Sequence, residues 1–100
     1  MEHCENCKIF KETPRGEAEL KSLISRVNRI KGQVDGIGTM LEENRYCGDI
    51  LIQISAAESA LRSLSYLIFE EHLSTCVSDK IKSGDKEIVK VTVELVKKLK

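Results

Sequence analysis

Apolar residues recur at helical spacing along most of this chain. Leu20, Leu23, Ile24, Val27, Ile30, Val34, Ile37, Met40 and Leu41 follow the i, i+3, i+4, i+7 rhythm of one helix face. Thr13-Pro14 supplies a start, with Thr13 as N-cap, Pro14 at the first helical position and Glu17 and Glu19 soon after. Glu43-Asn44-Arg45-Tyr46 is polar enough for a turn, and Cys47-Gly48-Asp49 opens a second helix. The apolar set of that helix includes Ile50, Leu51, Ile54, Ala57, Leu61, Leu64, Ile68 and Leu73, and Ala56, Ala57 and Ala60 permit close packing. No Pro or Gly interrupts the run from Asp49 to Ser83, which predicts one long helix through Val77. Ser83-Gly84-Asp85 then provides a terminating Gly and a capping Asp for a third helix. Val89 to Val96 is β-branched and alternates in part, but nothing else in the chain offers a strand to pair with it, so it too reads as helix.

The expected fold is therefore all-α. Residues 1–12 mix charge, Cys and His without a helical period and read as a flexible arm, leaving 13–100 as the helical domain. Gly32, Gly36 and Gly38 weaken the first helix by roughly 1 kcal/mol each relative to Ala. Either another backbone approaches them closely, or they are tolerated surface glycines. A 100-residue helical chain buries only a modest core by itself. Exposed apolar faces would drive it towards oligomers.

Sixteen basic and sixteen acidic side chains give a formal charge of zero, less basic than is usual for a DNA reader. Apolar runs such as Ile50 to Ile52 are too short to span a membrane. The opening Met1-Glu-His-Cys-Glu-Asn-Cys is acidic and has no apolar segment, so a signal peptide is not expected and the compartment read is cytoplasmic. In that compartment four cysteines point to metal or redox chemistry before a disulfide framework.

His72 and Cys76 stand i,i+4, so both leave one helix face a turn apart. Together with Cys47 they form a soft ligand set of two thiolates and an imidazole, which suits Cu(I). Cys47 precedes His72 by 25 positions on the same helix, roughly 38 Å at about 1.5 Å per residue. One straight helix cannot close that triad, whereas an antiparallel partner helix brings its own Cys47 beside His72 and Cys76. The plainer alternative is an interfacial His and a structural thiol. Cys4-x2-Cys7, next to His3, has metal-like spacing without the second pair that a zinc finger needs. It reads as an accessory metal or redox site, a supplement to the core site, or exposed thiols without function. Arg26, Arg29, Lys31 and Arg62 are candidate DNA phosphate contacts; the bland reading is a solvated helix face, with Lys31 paired to Asp35 at i,i+4. No phosphate loop or candidate oxyanion hole accompanies the thiol and imidazole, so an enzyme is not expected.

The stretch Arg26-Val-Asn-Arg-Ile-Lys-Gly-Gln-Val-Asp-Gly-Ile, then Arg45-Tyr46-Cys47, Gln53-Ile-Ser-Ala and His72-x3-Cys76, resembles the CsoR/RcnR family of bacterial metal-sensing transcriptional repressors. The likeness runs from about Leu20 to Gly84 and into the last helix. It implies a three-helix protomer, an antiparallel four-helix bundle in the dimer, and a dimer of dimers. It implies the copper(I)-sensing branch, with trigonal Cu(I) held by Cys47 of one subunit and His72 and Cys76 of another. Tyr46 is implied to sit beside the liganding His. Metal binding then releases operator DNA and derepresses copper-resistance genes. Expected partners are operator DNA, further copies of the chain and copper, with a copper chaperone as candidate donor. Persulfide sensors of the family lack the His, nickel and cobalt sensors replace the last Cys by His, and formaldehyde sensors need a free N-terminal proline amine. His72, Cys76 and the internal Pro14 depart from each in turn. The remaining rivals are a thiol-reactive sensor using Cys47 and Cys76, and a copper buffer or chaperone without DNA binding. Two departures from the copper pattern stand out: Thr92 occupies the place of a family Glu that neighbours the liganding His, and Ser63 that of a second family arginine.

Overall fold

The computed structural model describes residues 14–99. Helix α1 spans Glu17–Glu42, and α2 spans Cys47–His72. A π-helical turn, Leu73–Val77, follows without a break, then the short α3, Ser78–Lys82, and finally α4, Ile88–Lys97. The described chain is helical with no strand, as the periodicity predicts. Val89 to Val96 is helical because its apolar positions make one strongly amphipathic face, and that face outweighs β-branched propensity.

Helix ends follow cap chemistry more closely than apolar periodicity does. The first helix starts at Glu17, not at Pro14: Gly16 is extended (φ −65°, ψ 157°) and its carbonyl accepts the first helical bond from Leu20 N–H at 2.9 Å. Thr13, the expected cap, lies outside the described residues. At the other end Asn44 takes φ 55°, Arg45 N–H reaches Met40 O, and Asn44 N–H reaches Leu41 O. That pair of bonds is a Schellman closure with Asn in the left-handed position. The same closure recurs after α3, with Gly84 at φ 87°, Asp85 N–H on Lys80 O and Gly84 N–H on Ile81 O. Asp85 Oδ1 then accepts Glu87 N–H at 2.9 Å, so Asp85 organises the approach to α4 from three residues before its first turn.

Two compact units make up the chain. In the first, residues 15–68, the buried apolar side chains are Ile30, Ile50 and Ala57. Most of the predicted apolar stripe there is open, including Leu20, Ile24, Val34, Leu41 and Leu61. In the second, from Phe69 onward, Cys76, Val77 and Ile88 are buried, and Ile88 is the most enclosed at 1% exposure. A Cβ built on Gly32, Gly36 or Gly38 would meet nothing within 4 Å, so no other element among the described residues packs against those positions. No helix among the described residues is long and apolar enough to cross a membrane.

Candidate metal centre and nucleic-acid face

Cys47 is the first residue of α2. Tyr46 precedes it, and the Tyr46 carbonyl accepts Asp49 N–H at 3.1 Å and Ile50 N–H at 3.2 Å to start the helix. The Cys47 thiol is free and exposed. The Tyr46 side chain is exposed, but its ring turns back over Gly48.

His72 is the last residue of α2 and is half-buried, and Cys76 is buried. Cys76 lies within the π turn that begins directly after His72. Ser78 N–H reaches back to Leu73 O, the i→i−5 bond that defines this register. A wider turn advances the chain through a smaller angle per residue. Cys76 is therefore rotated backward about the axis relative to α spacing, while remaining one turn beyond His72. Widening the ladder disturbs carbonyl pairing, and hydroxyls meet the Glu71 carbonyl: Thr75 Oγ1 donates to Glu71 O at 2.8 Å and Ser74 Oγ donates to it at 3.2 Å. Such π turns are rare and cluster at functional sites. Residue spacing alone missed this one; the adjacent Ser74-Thr75 pair inside a helix was its only trace in the sequence.

Thr92, at the place of the family Glu, is half-buried on α4. Its hydroxyl donates to Ile88 O of its own helix at 2.7 Å. Among the described residues no three His, Cys, Asp or Glu side chains converge within one chain as a metal cage. His3, Cys4 and Cys7 lie outside the described residues.

The basic side chains separate into different surroundings. Arg26 and Arg29 line a hollow with Ile30, Gln33, Ala60 and Ser63. Lys31 lines a different, mainly apolar hollow of about 340 Å³ with Val27, Val34, Asp35, Leu61 and Leu64. Lys31 and Asp35 form no ion pair there, contrary to the i,i+4 expectation, whereas Arg45–Glu43 and Lys97–Glu94 each pair at 3.7 Å. Arg62 borders neither hollow.

Comparison with known proteins gives one consistent answer. The family described as metal-sensitive transcriptional repressor matches residues 19–99. Over 73 residues the chain is 45% identical to the copper-sensing transcriptional repressor CsoR of Bacillus subtilis (strain 168), covering 73% of this chain and 72% of that one. It is 51% identical over 59 residues to the copper-sensing transcriptional repressor RicR of Mycobacterium tuberculosis (strain ATCC 25618 / H37Rv). That match covers 59% of this chain and 62% of RicR, less than two thirds of its length. The crystal structure of CsoR with Cu(I) from Geobacillus thermodenitrificans NG80-2 superposes with a TM-score of 0.82 at 39% identity, covering 86% of this chain and 91% of that one. The nickel-responsive transcriptional regulator InrS superposes at 0.74 with 27% identity, covering 88% of this chain and 100% of that one. The chain belongs to the metal-sensitive transcriptional repressor family, a family of regulators and not of enzymes.

Proposed function

We propose that this chain is a Cu(I)-responsive repressor, bound to operator DNA without copper and released when Cys47, His72 and Cys76 hold Cu(I). The observation that carries the reading is the donor set. The fold alone serves a nickel-responsive regulator as well as a copper sensor, so it does not choose the metal. Two thiols and one imidazole are a soft set that favours Cu(I). When bound, the metal supplies a bridge between side chains that no single copy of the chain brings together.

Cys47 and His72 are the first and last residues of one unbroken helix. At about 1.5 Å per residue a helix of that length holds its ends roughly 38 Å apart. A site using both therefore takes Cys47 from one copy and His72 with Cys76 from another. The uncovered apolar positions Leu20, Ile24, Val34 and Leu61 support the same assembly, an antiparallel four-helix bundle in the dimer and a dimer of dimers. Tyr46, adjacent to Cys47, borders the site. Arg26, Arg29, Lys31 and Arg62 meet DNA phosphates, and a copper chaperone is a candidate donor of the metal. His3, Cys4 and Cys7 are an accessory soft-metal or redox set.

Release requires that the DNA-free state hold Cu(I) more tightly than the DNA-bound state. By the same coupling energy, DNA weakens Cu(I) binding. The test is anisotropy of a labelled fragment of the gene's own upstream region, titrated with protein under anaerobic reducing conditions and then with Cu(I). Binding released by one Cu(I) per protomer, and not released in His72→Ala, is expected. Binding indifferent to Cu(I) would overturn the copper reading, and no binding at low salt would overturn the repressor reading.

A further inference from the structure

The hollow between α1 and α2 that holds Arg26 and Arg29 has a volume of about 150 Å³ and a polar rim built from both helices. Arg26, Arg29 and Gln33 stand at i, i+3 and i+7, along one stripe of α1. Ser63 faces them from α2, with the small Ala60 one turn earlier leaving room. Among the described residues, neither arginine is paired with a carboxylate. The Gln33 amide and the Ser63 hydroxyl likewise have no hydrogen-bond partner among those residues, and Gln33 Oε1 is buried. Two guanidinium groups, an amide and a hydroxyl thus line one space without a hydrogen-bond or ion-pair partner among the described residues. The volume is several times one water's share of about 30 Å³.

We propose that this hollow is a seat for a single phosphate group, with Gln33 and Ser63 as binding residues alongside Arg26 and Arg29. The guanidinium groups offer planar forks of donors, and the hydroxyl donates once. A half-turn of the amide about its last torsion exchanges Oε1 for Nε2, so Gln33 presents N–H to an anion; no bond opposes that turn. Lys31, on its separate apolar hollow, is not part of the seat. The phosphate has two sources, a DNA backbone or free inorganic phosphate. The first source rests on the repressor reading above; the second does not.

Two titrations of the full chain decide it. In the first, Gln33→Glu and Ser63→Asp, each placing a carboxylate on one wall, are compared with wild type for binding to the gene's upstream DNA fragment. Each variant is expected to lose about tenfold or more in affinity, and the log–log salt slope to become shallower by about 0.9 for each subunit whose seat engages the DNA. In the second, inorganic phosphate is added to isotope-labelled protein while the side-chain amide resonances of Gln33 are followed; a saturable shift in wild type is expected, and none in Ser63→Asp. Loss in the first titration assigns the seat to a backbone phosphate. A shift in the second with unaltered DNA affinity assigns it to free phosphate. Variants of wild-type helicity that bind DNA with unchanged affinity and slope, together with an amide indifferent to phosphate, would overturn the seat while leaving the repressor reading intact. If wild-type protein binds no DNA, the repressor reading fails and the phosphate titration still decides the seat.

Discussion

The ring of Tyr46 lies against the backbone of Gly48, so closely that a Cβ placed on Gly48 would stand 2.5 Å from Tyr46 Cε2 and 3.1 Å from Cδ2. The missing side chain at Gly48 is what lets the phenol fold over the start of α2 beside Cys47. At 75% exposure the ring has room to swing away. Gly48→Ala should therefore displace the ring while adding up to about 0.5 kcal/mol of helix stability. Nuclear Overhauser contacts from the Tyr46 ring to the residue 48 α-proton should vanish as the melting temperature rises slightly. Persistence of those contacts would show that the ring is held by something other than the glycine.

Two hydroxyls of the π turn meet the Glu71 carbonyl, and they are unequal. Thr75 Oγ1 is 0.4 Å nearer than Ser74 Oγ, at 2.8 against 3.2 Å. Thr75→Val, which keeps the shape and removes the donor, should cost about 1 kcal/mol, and Ser74→Ala less than half of that. Urea unfolding at fixed protomer concentration measures both. Equal losses would mean that the carbonyl does not rank the two donors by distance.

Ile88 is the most enclosed side chain described. Ile88→Ala should cost about 2–5 kcal/mol, and Ile88→Val about 0.5–1.5 kcal/mol, by the cavity each leaves. Hydrogen exchange should localise the loss to the residues from Phe69 onward, the unit that contains Ile88. A loss spread evenly over α1 would contradict that localisation.

Thr92 gives its hydroxyl proton to its own helix, to Ile88 O at 2.7 Å. A side chain so engaged does not relay a signal from His72 as a carboxylate would. Thr92→Val should leave the Cu(I)-dependent release of DNA within about twofold of wild type, well under the 1.4 kcal/mol of a tenfold effect. A tenfold change in the midpoint of release would show that Thr92 carries the coupling after all.

If Cys47 of one subunit joins His72 and Cys76 of another, defective chains should complement each other. Neither Cys47→Ala nor Cys76→Ala alone should hold Cu(I) with three donors. Refolded together in equal amounts, half the dimers are mixed, and each mixed dimer rebuilds one of its two sites. High-affinity capacity should return to about a quarter of the wild-type value for an isologous pair. No recovery on mixing would place the whole site in a single chain.

The sequence by itself determined where helices run, because burying an apolar stripe demands a fixed spacing. Leu20 to Leu41, Ile50 to Leu73 and Val89 to Val96 all fell on helices. It also determined the stops at Asn44 and Gly84, since few residues accept positive φ, and the chemical identity of the donors at 47, 72 and 76. The π turn was not legible there. It shifts backbone hydrogen bonds by one residue and hardly disturbs side-chain periodicity, so the spacing of His72 and Cys76 looks the same in either register. Nor could spacing divide the basic residues. Arg26 and Lys31 share a helix, but only the placement of α2 against α1 decided that Arg26 borders a polar hollow with Ser63 and Lys31 an apolar one with Leu61. Ligand identity is a property of single side chains and survives in a string of letters. Which side chains enclose a common space depends on contacts between distant segments, and those exist only once the chain has packed.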